Sequence, residues 1–229
     1  MGLFSSRRDI MLKLFYCRIG KLSDKAFSRL WEECDSDFRQ RLLRIRREDD
    51  QKRSLCGRAL AKKLLSQFSG LPEKGILLSE APGGKPFAEN LPFSFSISHS
   101  GDYAICAAGD QNVGADIQII KPISPFIVRK FGSPEENRQL FGEAAPTPTL
   151  VKHLNQDPAA LAQWYRLWTA KEAYGKWEGS GISSSLLRED LLPLLEKDKL
   201  FALVPPLDPD YLCTVVAKEK ACPMEEIFF

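Results

Sequence analysis

Histidine is scarce in this chain, with two residues in 229, which leaves little for a zinc site. The six cysteines (17, 34, 56, 106, 213 and 222) form no CxxC pair and no dense cluster, and four lie in apolar surroundings. That spacing excludes a disulfide framework and predicts reduced core thiols in a cytoplasmic protein. No apolar run approaches the ~18 residues of a membrane span, so no membrane association is expected. "MGLFSSRRD" lacks a secretory leader's apolar core and cleavage site, although "MGLFSS" fits the loose N-myristoylation pattern. The formal net charge is only +2, so no global field points to nucleic acid. There is no GxSxG, which weakens a hydrolase reading. Charge of one sign is concentrated in a single place: "FRQRLLRIRR" (38–47) holds five arginines and no acid.

What remains is an ordinary globular composition, 44% hydrophobic and 27% charged, long enough for one large or two small units. "MLKLFYCRI" (11–19) reads as a strand. "SDKAFSRLWEECDSDFRQRLLRI" reads as helical from an N-cap at Ser23 or Asp24. In "DDQKRSLCGRALAKKLLSQFSG" the apolar residues recur at helical spacing until Gly70. "GILLSE" predicts a short strand and "APGGKPF" a loop. "FSFSISHSGDYAICAAG" gives two strands around a turn, and "VGADIQII" another. Ser133, Pro134 and Glu136 form a capping-box signature. "EAAPTPTLVKHLNQDP" predicts a loop, and Asp157-Pro158 the start of a helix. "LFALVPP" and "YLCTVVAKE" close the chain as strands. "GDYAICAAG" and "PDYLCTVVA" echo one another half a chain apart, a pattern compatible with two similar halves.

Three stretches carry chemistry. In "VGADIQ", Val113, Ala115 and Ile117 share one strand face, and Gly114, Asp116 and Gln118 the other. A carboxylate in so apolar a strand needs a partner, either a lysine or a metal. In "SISHSGD", Ser98, His99 and Ser100 at a glycine-permitted turn could cradle phosphate, or His99 could be an ordinary hydrogen-bonded turn residue. In "LWTAKEAYGKWEGSGI" (167–182), Trp168, Glu172 and Lys176 follow at i, i+4 and i+8 on one helix face. Glu172 and Lys176 could then be a surface pair worth about 0.2–0.5 kcal/mol, or could face a ligand. Lys171 points elsewhere. Gly175 is costly within a helix and suggests a close approach or a frayed end.

Together these stretches resemble the phosphopantetheinyl transferase superfamily, in particular its longer Sfp-type members. "SISHSG", "VGADI" and "WTAKEAYGK" stand in the family's order, and "WEGSGI" continues the last. Upstream, "EDDQKRSLCGRAL" is similar to a family helix, and "GGKPF" to a family loop. The match spans roughly residues 37–182 and rests on five motifs in order.

The resemblance implies an α+β fold of two similar α/β halves related by a pseudo-twofold, with the active site in the cleft between them. The halves would be residues 1–120 and 121–229. It implies transfer of the 4'-phosphopantetheine arm of coenzyme A to a serine of an apo acyl or peptidyl carrier protein. The reaction would need Mg²⁺ and release adenosine 3',5'-bisphosphate. Asp116 and Glu172 would hold Mg²⁺, with Gln118 beside them. Glu172 would take the serine proton, and Lys176 would neutralise phosphate charge. Ser98 and His99 would bind coenzyme A phosphates; Arg53, Ser54 and Arg41 would hold the 3'-phosphate; Lys85 would sit near the nucleotide. Gln118 stands where well-known members carry a second acid, and Phe38 where some carry a phosphate-binding lysine. Two fused halves imply a monomer. The alternatives are a non-catalytic coenzyme A- or carrier-binding module of the same fold, and a nucleic-acid-binding protein resting on the arginine run alone.

Overall fold

The computed structural model describes residues 12–229 other than Pro82 and Ile182. The amino-terminal leader and myristoylation patterns fall outside the described residues, as do Met11 and the last residue of "WEGSGI". The chain opens on β1 (Leu12–Arg18). The predicted long helix after it is two helices, α1 (Asp24–Glu32) and α2 (Ser36–Leu43). Asp35 breaks the run because its carboxylate accepts from the Phe38 N–H and starts a new helix, as Ser23 does for α1 through Ala26. Part of the arginine run is spent here, since Arg39 donates to the carbonyls of Trp31, Glu32 and Cys34 at the end of α1.

The long helix α3 (Glu48–Ser69) ends on Gly70 at φ 73°. A small hairpin, β2 (Leu78–Glu80) and β3 (Pro86–Ala88), follows, and then β4 (Ser94–Ser100), β5 (Tyr103–Gly109) and β6 (Gly114–Ile119). Next come α4 (Pro125–Lys130) and α5 (Pro134–Phe141), the latter carrying the capping box of Ser133 and Glu136. The segment expected to be a loop contains a helix, α6 (Pro148–Gln156). Thr147 caps it and Pro148 opens it, a pair that starts helices as readily as turns. Asp157 caps α7 (Pro158–Glu178), and α8 (Leu191–Asp198), β7 (Phe201–Leu203), β8 (Tyr211–Ala217) and β9 (Met224–Glu226) complete the chain.

Two sheets result. The first has the order β4-β5-β1-β9 and the second β6-β8-β7. Strand β6 precedes residue 120, yet it pairs with β8 of the later half. Both sheets have a long helix between their first strand and a closing pair, and in both the last strand of that pair lies centrally. These neighbours are antiparallel in each case. The sequence echo falls on the equivalent strands β5 and β8. Tyr103 and Tyr211, which open them, pack edge to face with centroids 4.7 Å apart.

Alternation along the strands builds four layers. Phe15, Cys17, Ala104 and Cys106 face Cys56, Leu60 and Leu64 of α3. Leu12, Leu14, Ile105 and Ala107 face Val113, Ala115, Ile117, Cys213 and Val215 of the other sheet. The opposite face of that second sheet meets α7, through Val216 with Ala173 and through Thr214 bonded to Thr169. The order is therefore α3, sheet, sheet, α7. The six cysteines are all free, four of them buried.

Candidate active site

The site lies where β6, β4 and α7 converge. Strand β6 approaches α7 closely because residue 114 has no side chain. A Cβ on Gly114 would lie 1.9 Å from the Ala173 carbonyl oxygen and 2.5 Å from the Trp177 nitrogen. Gly175 answers the question its sequence raised by showing a close approach. A Cβ there would stand 2.6 Å from the Gly181 carbonyl oxygen, over which the chain folds back after α7. Trp168 anchors the helix, its ring 5.1 Å from Trp164 and 5.0 Å from Phe131.

Asp116 is buried, 2% exposed. Its Oδ1 accepts from Ser98 Oγ at 2.7 Å and from Lys176 Nζ at 2.8 Å, and its Oδ2 accepts from Gln118 Nε2 at 3.2 Å. Lys176 also donates to the Ala115 carbonyl at 3.0 Å. Among the described residues, Lys176 thus makes its ion pair with Asp116 across 60 residues of sequence, and not with Glu172 one turn away. The surface-pair reading of the helix gives way to a contact between helix and strand.

Glu172 stands beside this pair. Burial first, and then repulsion from Asp116, push its carboxyl up to about 7, against the opposing pull of Lys176. Two carboxyl groups thus share one ammonium, that of Lys176. Among the described residues no cluster of three or more His, Cys, Asp or Glu is placed to hold a metal. The donor set is two carboxylates and the Gln118 amide, all hard oxygen donors. It fits a cation that keeps several of its own waters, as Mg²⁺ does. Gln118 turns its NH₂ toward Asp116, so its amide must rotate to offer Oε1.

The remaining candidates fall into three places. Arg53 on α3 donates to the Gly101 carbonyl at 2.6 Å and pairs with Asp50. His99 lies close to Arg53, Lys176 and Asp50; partial burial and then the two cations hold its imidazole below the ordinary value. Ser54 is next to Arg53 and half-buried. Lys85 reaches the carboxyl end of α7, donating to the Trp177 carbonyl at 3.1 Å, and burial lowers its pKa. Arg41 lies apart. It pairs with Glu80 and lines, with Gln40, Arg44 and Ser79, a groove of about 440 Å³. The structure therefore groups Ser98, His99, Arg53, Asp116, Gln118, Glu172 and Lys176, and leaves Arg41 at a distinct rim.

Lys171, adjacent to Glu172, is wholly buried and belongs to another assembly. It donates to Glu136 at 2.5 Å and to the carbonyls of Leu187 and Glu189. Glu136 in turn accepts from the backbone of Ser133 and Leu191. The capping box was legible; its role as the counter-ion of Lys171 was not, since 35 residues separate the two. Ser94 and Ser96 were also missed. The signal for them was the strict alternation in "SFSISHS".

Known proteins similar to this chain point to one family. Residues 21–111 match the family model described as 4'-phosphopantetheinyl transferase, N-terminal. Residues 112–214 match the 4'-phosphopantetheinyl transferase superfamily model. The chain is 32% identical over 180 residues to the 4'-phosphopantetheinyl transferase psf-1 of Bacillus pumilus, which covers 76% of this chain and 72% of that one. Against the 4'-phosphopantetheinyl transferase Sfp of Bacillus subtilis strain 168 it is 32% identical over 166 residues, 72% and 69% of the two chains. Against the L-aminoadipate-semialdehyde dehydrogenase-phosphopantetheinyl transferase of Xenopus laevis it is 32% identical over 154 residues, 61% and 47% of the two. Matches that together run from residue 21 to 214, and the two Bacillus relatives aligned over more than two thirds of their own length, place the chain plainly: it belongs to the 4'-phosphopantetheinyl transferase superfamily.

Proposed function

We propose that this chain transfers the 4'-phosphopantetheine arm of coenzyme A to a serine of an apo acyl or peptidyl carrier protein. The observation that carries the reading is the Asp116–Lys176–Glu172 constellation, with Glu172 held near neutrality. Coenzyme A would lie in the cleft between the two halves, which we take to be related by a twofold. His99, Arg53 and Ser54 would meet its phosphates at one end and Lys85 at the other. Arg41 would reach in from its rim, where guanidinium geometry suits phosphate. Asp116 and Glu172, with Gln118 beside them, would hold Mg²⁺, which when bound offsets the charge of the pyrophosphate.

The carrier serine Oγ attacks the phosphorus that bears the pantetheine arm. The Oγ–P bond forms as the bond from that phosphorus to the bridging oxygen breaks, and adenosine 3',5'-bisphosphate leaves with that electron pair. Glu172, which flanks Asp116 and Lys176 in the site, accepts the serine proton. Lys176, on its partly exposed stem, lies within reach of the charge that shifts onto the departing oxygen. A cytoplasmic, monomeric protein without nucleic-acid partners is part of the same proposal. Among the described residues no helix is long and apolar enough to cross a membrane.

The test is incubation with coenzyme A, Mg²⁺ and a panel of apo carrier proteins, followed by intact mass of the carrier. A mass gain equal to the phosphopantetheine arm is expected. Coenzyme A binding with no adduct on any carrier would favour the non-catalytic module instead. Asp116→Ala should lower transfer by at least about 10³-fold, a loss on the scale of removing a charge-stabilising group, while circular dichroism stays that of the parent. A variant retaining the parental rate removes Asp116 from the site.

A further inference from the structure

Along β4, "SFSISHS" puts serine at positions 94, 96, 98 and 100. Period two sends the four hydroxyls to one face, and there they meet β6. Ser94, Ser96, Ser98 and Ser100 accept from the backbone N–H groups of Val113, Ala115, Ile117 and Ile119, at 3.4, 3.0, 3.3 and 3.0 Å. Every rung spans 19 residues, so β4 and β6 run in the same direction in one register. Successive N–H groups of a strand point to opposite edges. The groups that meet the serines are therefore those turned away from β8. Side-chain hydroxyls here take the place of a strand-to-strand ladder and join the two sheets.

One rung also does something more. Ser98 Oγ donates to Asp116 Oδ1 at 2.7 Å while accepting from Ile117. A carboxylate has no proton to give, so the single hydroxyl hydrogen of Ser98 is committed to Asp116. The residue is 7% exposed. A hydroxyl so placed has no donor left for a phosphate oxygen. His99, one residue on, points to the other face of the strand, toward Arg53.

We propose that Ser98 is a positioning residue for Asp116 and not a phosphate contact. It pins Oδ1 beside Lys176 and leaves Oδ2, which accepts from Gln118 Nε2, to face a cation once that amide turns. The serine ladder supplies the register that brings Asp116 to this point. Phosphate recognition around the turn then falls to His99 and Arg53. The inference rests on the reading of Asp116 as a cation ligand.

Two direct binding measurements test it: Mn²⁺ affinity by electron paramagnetic resonance, and coenzyme A affinity by calorimetry in EDTA. Ser98→Ala should weaken Mn²⁺ binding by about 10–100-fold, the usual effect of losing a group that orients a metal ligand. Its coenzyme A affinity in EDTA should stay at the parental level. Ser96→Ala removes a rung without touching Asp116 and should keep the parental Mn²⁺ affinity. Ser98→Thr, which retains the hydroxyl, should restore it. If Ser98→Ala does not fold, Ser98→Cys, a weaker donor of similar size, carries the same comparison. Loss of coenzyme A affinity in EDTA with unchanged Mn²⁺ binding overturns the proposal, as do equal Mn²⁺ losses in the Ser98 and Ser96 variants. A parent protein that binds no Mn²⁺ overturns the cation reading and this inference with it. A parent that binds Mn²⁺ while Ser98→Ala binds it equally well overturns this inference alone.

Discussion

Asp116 and Glu172 are both carboxylates, but their surroundings treat them differently. Asp116 accepts three hydrogen bonds, one of them from an ammonium. Glu172 is desolvated and repelled by Asp116, so its proton is held up to about pH 7. The sign of the stability effect follows. In the unfolded chain this carboxyl ionises at its ordinary value, near 4.5, and in the folded metal-free protein near 7. Between those values the folded state binds more protons, so stability falls as pH rises through the window and is level above it. Glu172→Gln removes this contribution. In EDTA, the loss of melting temperature between pH 5 and pH 8 should shrink by about 2–8 °C in that variant, the span of one to two kcal/mol for a domain of this size. Thermal melts across that pH range check it; identical pH profiles for parent and variant would contradict the assignment.

Elements meet at the site because small residues let them. At Gly114 β6 comes close against α7, and the missing side chain sets how near Asp116 lies to Glu172 and Lys176. Gly114→Ala must displace the Ala173 carbonyl, which is backbone and cannot swing aside. A shift of about 1 Å between catalytic groups costs on the order of 10²-fold in rate. Steady-state transfer by that variant should fall by that amount, chiefly in kcat. Charge also holds α7 in place. Lys171→Met leaves Glu136 without its counter-ion in the interior, where breaking a buried pair costs roughly 3–5 kcal/mol. Denaturant unfolding should report a loss of that order, because Lys171 ties α7 to α5 and to the carbonyls of Leu187 and Glu189. A loss under about 1 kcal/mol would mean the pair is solvated in the working protein.

At the scale of the whole molecule, the two sequence halves share a core. Leu12, Leu14 and Ile105 from one sheet pack on Ala115, Ile117 and Val215 from the other. The last strand, β9, returns to lie parallel to β1 and carries Glu225 to Lys13 and Glu226 to Lys21. Neither half can then bury its apolar sheet face alone. The intact chain should unfold in one cooperative transition with coincident probes. A fragment of residues 112–229 should show no cooperative melt and should bind a dye for exposed apolar surface. Independent sharp melting of that fragment would show that the halves are separate folding units.

Local chemistry announces itself in a sequence, and most of what was legible here was local. Helix starts at Ser23, Ser133 and Asp157 follow from side chains that bond their own backbone a few residues on. The strands follow from period-two alternation, and the motif order pointed to Asp116, Glu172 and Lys176 together. Thr147-Pro148 misled because the same pair serves a turn or a helix, and only packing of Val151 and Leu154 against Trp164 decided for the helix. Distant pairings could not be read at all. Nothing near Lys176 names Asp116 as its partner, nothing near Lys171 names Glu136, and nothing in "SFSISHS" names the N–H groups of β6. Those choices depend on which sheet face is turned to which, and a one-residue change of register would exchange the faces. The residue types of the site were therefore determined by the sequence itself. Which oxygen each cation and hydroxyl holds was decided only when the two sheets closed on a common core.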